Sequence, residues 1–301
     1  ALDEPLADPS VFPAYFLSKL TRKYAKVASG GEGTDELGLG YPTLCAHKLV
    51  PIYKLVPLPI RRNILEKIIY KLPVSQGYYG LAYRAKKFIE GIPFSTYMRD
   101  IIWLGVFNPE ERSKLYQPWF REALGKTNIF KEAEEFGNIW HNNDFIRSLQ
   151  YLDIKTYLAD DLLVKLEQLT KANSLQIRLP YLNHRLAEFM FSLPTSYKLN
   201  GFTTKYLLRR VAADILPREI INKKKQGFGL PLRQWIREGL NSFVQEILSK
   251  EKINKIGLFD YSYIHQLINE HTKGIRDNHK KIWALVMFQL WHGAYMQELS
   301  F

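Results

Sequence analysis

The sequence predicts a mainly α-helical protein with only one or two short strands, on three observations. Apolar residues recur at three- and four-residue spacing along most of the chain. Alternating β-branched runs, which make half-buried strands, are scarce. One short apolar stretch, Lys26-Val27-Ala28, opens into glycines and then Asp35-Glu36, the layout of a strand end, a ligand loop and an acidic helix start. An ordinary tight connection between strand and helix has the same layout. With 301 residues, 46% of them apolar, the chain can bury one substantial core or two small ones.

The elements follow in order. Asp8 and Ser10 can cap a helix whose apolar positions Phe12, Phe16, Leu17 and Leu20 keep helical period, with Pro9 and Pro13 tolerable only near its first turn. After the glycine segment, residues 60–72 carry Ile64, Leu65, Ile68 and Ile69 on one face and stop near the loop 73–77. Further helices are predicted over 96–106, 109–116, 129–136, 145–152, 161–172, 183–192, 204–215, 232–248 and 261–299, the last broken at Gly274. There is no internal repeat, low-complexity tract or long linker, so residues 1–301 read as one helical unit.

Composition narrows the class. No apolar run approaches the roughly 18–20 residues that span a bilayer, and the start ALDEPLADPS is acidic and proline-bearing, unlike a secretory leader. A soluble, cytoplasmic protein is expected, without membrane partners. The single cysteine, Cys45, permits no internal disulfide and fits a reducing compartment. The chain starts at Ala1 and not at Met, so it is expected to be a piece of something longer. The balance of 42 Lys+Arg against 30 Asp+Glu gives +12, but the cations are dispersed at helical spacing. The one dense run, Lys223-Lys224-Lys225, leads into a glycine turn, so nucleic acid is not an expected partner.

Several other positions could carry chemistry. Asp160-Asp161 read as capping carboxylates at a helix start. His265 and His271 do not share a helix face, and Cys45 has no nearby Cys or His, so zinc is not expected. In Gly201-Phe-Thr-Thr-Lys205-Tyr-Leu-Leu-Arg-Arg210, Thr203 or Thr204 can cap a helix and set Lys205 in its first turn. A lysine there opposes the helix dipole unless an anion lies nearby; the alternative is plain solvent exposure. The segment 225–231 reads as a glycine-rich hinge that packing alone could explain.

Taken together, Asp3-Glu4-Pro5, the loop from Gly30 to Leu37, the stretch 153–165, Ala172-Asn-Ser-Leu-Gln-Ile-Arg178-Leu-Pro180-Tyr-Leu-Asn-His184-Arg185, Thr204-Lys205-Tyr-Leu-Leu-Arg209, the segment 225–231 and Arg276-Asp277 with Lys281-Ile-Trp283 resemble the synthetase domain of glutamine-hydrolysing asparagine synthetases. Their order and spacing match from near residue 1 to near residue 298. The resemblance implies the C-terminal portion of an α/β PP-loop ATPase-like (adenine nucleotide alpha hydrolase-like) synthetase domain, lacking both its N-terminal PP-loop segment, S-G-G-x-D-S, and the glutaminase domain with its catalytic first cysteine. Ser29-Gly30-Gly31 mimic the first half of that PP-loop, but Gly33 and Thr34 stand where Asp and Ser belong.

By this resemblance the glycine segment is instead the family's later S-G-E-G-x-D-E loop of the ATP site. Gly30 and Gly31 would touch the nucleotide through backbone, Glu32 would serve formation and use of aspartyl-adenylate, and Asp35 would lie by the phosphates and Mg²⁺. Lys205 would hold the departing pyrophosphate, and Glu36 is expected to cap or face solvent. The implied substrates are ATP, aspartate and ammonia, and a homodimer is compatible with the reading. Gly30 replaces the usual Ser, Gln176 and Asn183 replace frequent acids, and Glu167-Gln168 replace a frequent Asp-Arg pair. These changes leave open another carboxylate substrate, as in β-lactam or peptide-cyclising ligases, and a non-catalytic helical binding protein of the same fold.

Overall fold

Two helix-to-strand units organise the chain. The computed structural model describes residues 1–72, 80–125, 130–139, 144–223, 227 and 229–296. Within them the helix Val11–Arg22 runs into strand β1 (Val27–Ser29), and the helix Val164–Ala172 runs into strand β2 (Gln176–Arg178). The two helices pack together, and the strands pair in parallel with Ala28 opposite Ile177. The ladder extends past both ends: Gln176 N–H donates to the Lys26 carbonyl at 2.9 Å, and Gly30 N–H to that of Arg178 at 2.8 Å. Parallel strands need a long crossover, and the described part of this one is helical, which bears out a mainly α protein with two short strands.

Polar bonds pin the two units. Lys165 donates to Asp8, whose carboxylate also accepts from the Ser10 N–H at 2.9 Å and the Ser10 hydroxyl at 2.7 Å. Burial pushes the Asp8 carboxyl up, but the Lys165 ammonium and the Ser10 bonds outweigh it and hold it below its usual value. Arg22 Nε donates to the Ser174 carbonyl at 2.9 Å, locking the end of one helix to the end of the other.

The first helix forms where its periodicity places it, yet its apolar stripe does not enter the core. Val11 and Ser18 are buried, whereas Phe16 is 61% exposed, Leu17 50% and Leu20 51%. Tyr24 at 84% and Val27 at 49% continue this apolar surface to β1. Periodicity reports an apolar face but not what covers it.

A second correction concerns Asp160-Asp161. They do not start a helix: Phe145–Asp153, a π-helical stretch Ile154–Leu163 and Val164–Ala172 follow one another directly. No Gly or Pro interrupts 145–172, so nothing ends the helix there. Asp161 instead sits part-buried within it, its carboxyl raised to about 6 by burial, with Asp8 and Glu4 adding to the shift and Lys165 opposing it.

Other boundaries move. The helix expected over 204–215 is Tyr206–Ala212, and that over 232–248 divides into Leu232–Arg237 and Asn241–Ile247 around Gly239. Pro42–Leu55 is a helix that the pattern missed, because Pro51 lies inside it. The loop read at 73–77, the helix start at 129, three residues of the hinge at 225–231 (Lys225, Gln226 and Phe228) and the end of the last helix at 297–299 lie outside the described residues. Among the described residues no helix is long and apolar enough to cross a membrane.

Burial forms two clusters. One gathers Leu232, Ile236, Val244, Leu248, Ile253, Ile264, Ile282 and Val286 from the C-terminal helices. The other, Leu39, Leu44, Ala133, Ile146, Leu149, Leu152 and Leu199, lies around the end of the glycine segment.

Candidate active site

The glycine segment leaves the carboxyl end of β1 and turns into the short helix Thr34–Gly38. Its glycines have different tasks. Gly33 holds φ at 89°, and a Cβ there would strike the Leu182 side chain, so the turn requires glycine twice over. At Gly30 a Cβ would lie 2.6 Å from Glu32 Oε2 and 2.8 Å from Leu179 Cδ2, which places the Glu32 carboxylate directly over Gly30. The Gly30 N–H is engaged in the ladder with Arg178. Gly31 is exposed, a Cβ there would meet nothing within 4 Å, and its N–H meets no acceptor among the described residues. The Thr34 hydroxyl fastens the loop by donating to the Gly31 carbonyl at 2.9 Å. Of the two glycines expected to touch the nucleotide through backbone, Gly31 is thus the one whose N–H is not already engaged.

Lys205 comes to this loop from 170 residues downstream of Asp35. Its Nζ lies 3.0 Å from Asp35 Oδ1 and 3.2 Å from Thr34 Oγ1. The helix starts at Tyr206 and not at 204, so Lys205 is the N-cap and not in the first turn. Its backbone is left-handed at φ 53°, which costs a residue with a Cβ roughly 1–2 kcal/mol. Its N–H donates to the Gly38 carbonyl at 3.1 Å, which ties that strained residue to the glycine segment. Gly40 admits the pair: a Cβ there would overlap both Asp35 Oδ1 and Lys205 Cε. The two side chains are 27% and 22% exposed, so their pairing contributes under about 1 kcal/mol. Strain and close packing around a pair of so little structural worth point to a functional task.

Glu36 corrects an expectation. It is 2% exposed and accepts a hydrogen bond from the Tyr41 hydroxyl, rather than capping or facing solvent. The five-residue helix packs on Phe145–Asp153, which turns position 36 inward. Burial and the adjacent Glu36 carboxylate push the Tyr41 hydroxyl far above its ordinary value, so it stays a donor.

Behind the loop stands a network the sequence reading missed. Gln150 Nε2 donates to the carbonyls of Glu36 and Leu37, both at 2.9 Å. Lys198, with no exposed surface, donates to Gln150 Oε1 at 2.7 Å and to the Met190 carbonyl at 3.0 Å. The available signal was a glutamine inside the apolar run Leu149-Gln150-Tyr151-Leu152. Burial lowers the Lys198 amine to about 8; Arg147 lowers it further and Asp144 opposes. Between that value and the ordinary 10.5 the unfolded chain holds a proton that the folded protein has shed, so this group makes stability rise with pH across that window. Lys198→Met is expected to remove that rise, seen as a flatter melting-temperature profile from pH 8 to 10.5 than in the wild type; parallel profiles would show that Lys198 does not titrate there.

The arrangement offers an exposed backbone donor at Gly31, an ammonium at Lys205 and a carboxylate at Asp35. That set suits a phosphate chain. One carboxylate beside a threonine hydroxyl can hold Mg²⁺ only jointly with phosphate oxygens. Among the described residues no three His, Cys, Asp or Glu side chains are grouped to hold a metal by themselves.

Comparison with known proteins gives the family. The family described as asparagine synthase matches residues 1–293. The chain is 29% identical to asparagine synthetase [glutamine-hydrolyzing] 1 of Bacillus subtilis (strain 168), over 98% of this chain and 45% of that protein. It is also 29% identical to a putative asparagine synthetase [glutamine-hydrolyzing] of Mycobacterium bovis, over 98% of this chain and 43% of the relative. Amidase chyE of Penicillium rubens is 25% identical over 81% of this chain and 38% of its own length. The chain therefore spans less than half the length of these relatives. With a match across nearly its whole length and a helical fold carrying two short parallel strands, the chain belongs to the asparagine synthase family, whose fold is that of the PP-loop ATPase-like synthetases.

Proposed function

We propose that this chain is the C-terminal part of an ATP-dependent, amide-forming ligase that makes asparagine from aspartate and ammonia. The observation that carries the reading is the Lys205–Asp35 pair beside the open donor of Gly31. In this reading ATP supplies the adenylyl group that activates the aspartate side-chain carboxylate as aspartyl-adenylate, pyrophosphate departs, and ammonia displaces AMP. Lys205 fixes a positive charge where the pyrophosphate leaves. Asp35 would help to hold Mg²⁺, whose charge would offset that of the phosphates. Glu32, held over Gly30 at the strand end, faces the acyl-adenylate step.

The exposed apolar surface from Phe16 to Val27 supports a missing partner segment. Parallel strands are normally buried on both faces, and two strands of three residues are too few to stand alone. An N-terminal PP-loop segment of the same polypeptide, with a glutaminase domain before it, completes the sheet in this proposal; a cytoplasmic location and small-molecule substrates go with it.

The test is aspartate-dependent exchange of pyrophosphate into ATP, and asparagine formation from ammonia. A full-length polypeptide carrying this chain is expected to perform both, and the chain alone to bind ATP weakly and perform neither. Robust AMP and pyrophosphate release by the chain alone would place the whole nucleotide site within these residues and overturn that boundary.

The likeness to an amidase and the replacements Gln176 and Asn183 favour a second reading, the same ATP chemistry on another carboxylate. Pyrophosphate exchange that ignores aspartate but responds to a different carboxylic acid would establish it. Absence of exchange with any acid would favour a non-catalytic protein of the same fold.

A further inference from the structure

The helix that carries Asp35 is short. Its five residues, Thr34–Gly38, cannot hold themselves in place, since an isolated helix needs about 12–15 residues to be stable in water. Its carboxyl end also presents carbonyls that no further turn can satisfy. Those of Glu36 and Leu37 are buried among the residues behind the loop, and both accept from one side-chain amide, that of Gln150. Gln150 has no exposed surface, and its own oxygen is fixed by Lys198, which has none either. Lys198 in turn is anchored to the Met190 carbonyl and lies over the Phe191 ring.

The orientation of the amide is thereby decided. An ammonium can only donate, so it holds the Gln150 oxygen, and the Gln150 nitrogen must face the two carbonyls. Flipping the amide would set its NH₂ against the ammonium and its oxygen against two carbonyl oxygens. Asp35 lies between the clamped Glu36 carbonyl and the loop glycines, with Lys205 in front of it.

We infer that Lys198 and Gln150 are positioning residues that clamp the Thr34–Gly38 helix from behind and thereby set where Asp35 and Lys205 meet a nucleotide's phosphate chain. The inference deepens the ATP reading above and rests on it for the ligand. The clamp itself is decided by a measurement that needs no ligand.

Hydrogen exchange reads it directly in the protein as it stands. The Leu37 and Gly40 amides donate within the loop, to Gly33 and Asp35, whereas those of Ile264 and Ile282 report the distant C-terminal cluster. In Gln150→Leu, exchange at Leu37 and Gly40 is expected to speed up at least about tenfold, the worth of a lost buried hydrogen bond, with Ile264 and Ile282 unchanged. Lys198→Met, which keeps the amide but frees it to rotate, should act in the same direction and covers the case in which Gln150→Leu does not fold. Unchanged exchange at Leu37 and Gly40, or an equal rise at all four amides, would overturn the clamp.

The second readout is ATP in the full-length protein. Both variants are expected to raise the KM for ATP about tenfold or more while leaving the KM for the carboxylate substrate near wild type. Local opening of the loop with an unchanged KM for ATP would overturn the positioning role. If the wild type itself does not bind ATP, it is the nucleotide reading that fails, and the exchange result still stands for the clamp.

Discussion

Lys205→Ala is expected to lower turnover of the full-length enzyme by about a hundredfold or more, the usual cost of removing a preorganised charge from a reacting phosphate. Stability should barely change. The ion pair to Asp35 is partly exposed and contributes little, and alanine inherits the same left-handed backbone that lysine occupies. Lys205→Gly sharpens the contrast, because glycine relieves roughly 1–2 kcal/mol of backbone strain while losing the same charge. It should melt higher than the wild type and be equally inactive. Arginine should rescue little, since its planar fork does not copy a point ammonium in a space bounded by Gly38 and Gly40. Turnover of Lys205→Ala within about twofold of the wild type would remove Lys205 from the reaction.

The second large effect separates two glycines of one loop. Gly33→Ala forces a Cβ into left-handed backbone and into the Leu182 side chain, and is expected to cost about 2–4 kcal/mol of stability. Gly31→Ala adds a methyl in open space and should change stability by under about 0.5 kcal/mol. For the ligand the order reverses: a methyl beside the open N–H of Gly31 stands where a phosphate would approach, so ATP affinity is expected to fall about tenfold, one good hydrogen bond's worth. Denaturant midpoints and ATP titrations of both variants check this. Wild-type ATP affinity in Gly31→Ala would move the phosphate site away from the loop tip.

Much of this was legible in the residues. The strand end at Val27, the glycine turn at Gly33 and the helical period of most segments are local properties, written in backbone freedom and spacing. The family resemblance put Lys205 and Asp35 each by the phosphates, but their direct pairing appears only in the fold, because nothing local joins two residues so far apart in sequence. Glu36 was misread for a definite reason. A carboxylate in a first helical turn is usually a solvated cap, and only the packing of that turn on Phe145–Asp153 turns it inward toward Tyr41. Asp160 and Asp161 failed likewise, since a π-helical stretch has no sequence signature of its own and lets a long helix pass where caps were expected. Lys198 could not be foreseen, because lysine is almost never without exposed surface unless paired, and Lys198 has none.

The two separate hydrophobic clusters bear on how the chain comes apart. All-or-none melting is usual for small single domains, and here, in a chain of 301 residues, the cluster at the glycine segment and the cluster of the C-terminal helices draw on different elements. In the function proposed above, a nucleotide would bind at Gly31, Asp35 and Lys205, beside the cluster that holds Leu39 and Leu199. The farther cluster includes none of these residues. On that proposal, ligand stabilisation is expected to be regional: it would harden the cluster next to the glycine segment and leave the C-terminal helices at their own intrinsic stability, as a fixed buttress whose lifetime the substrate does not govern.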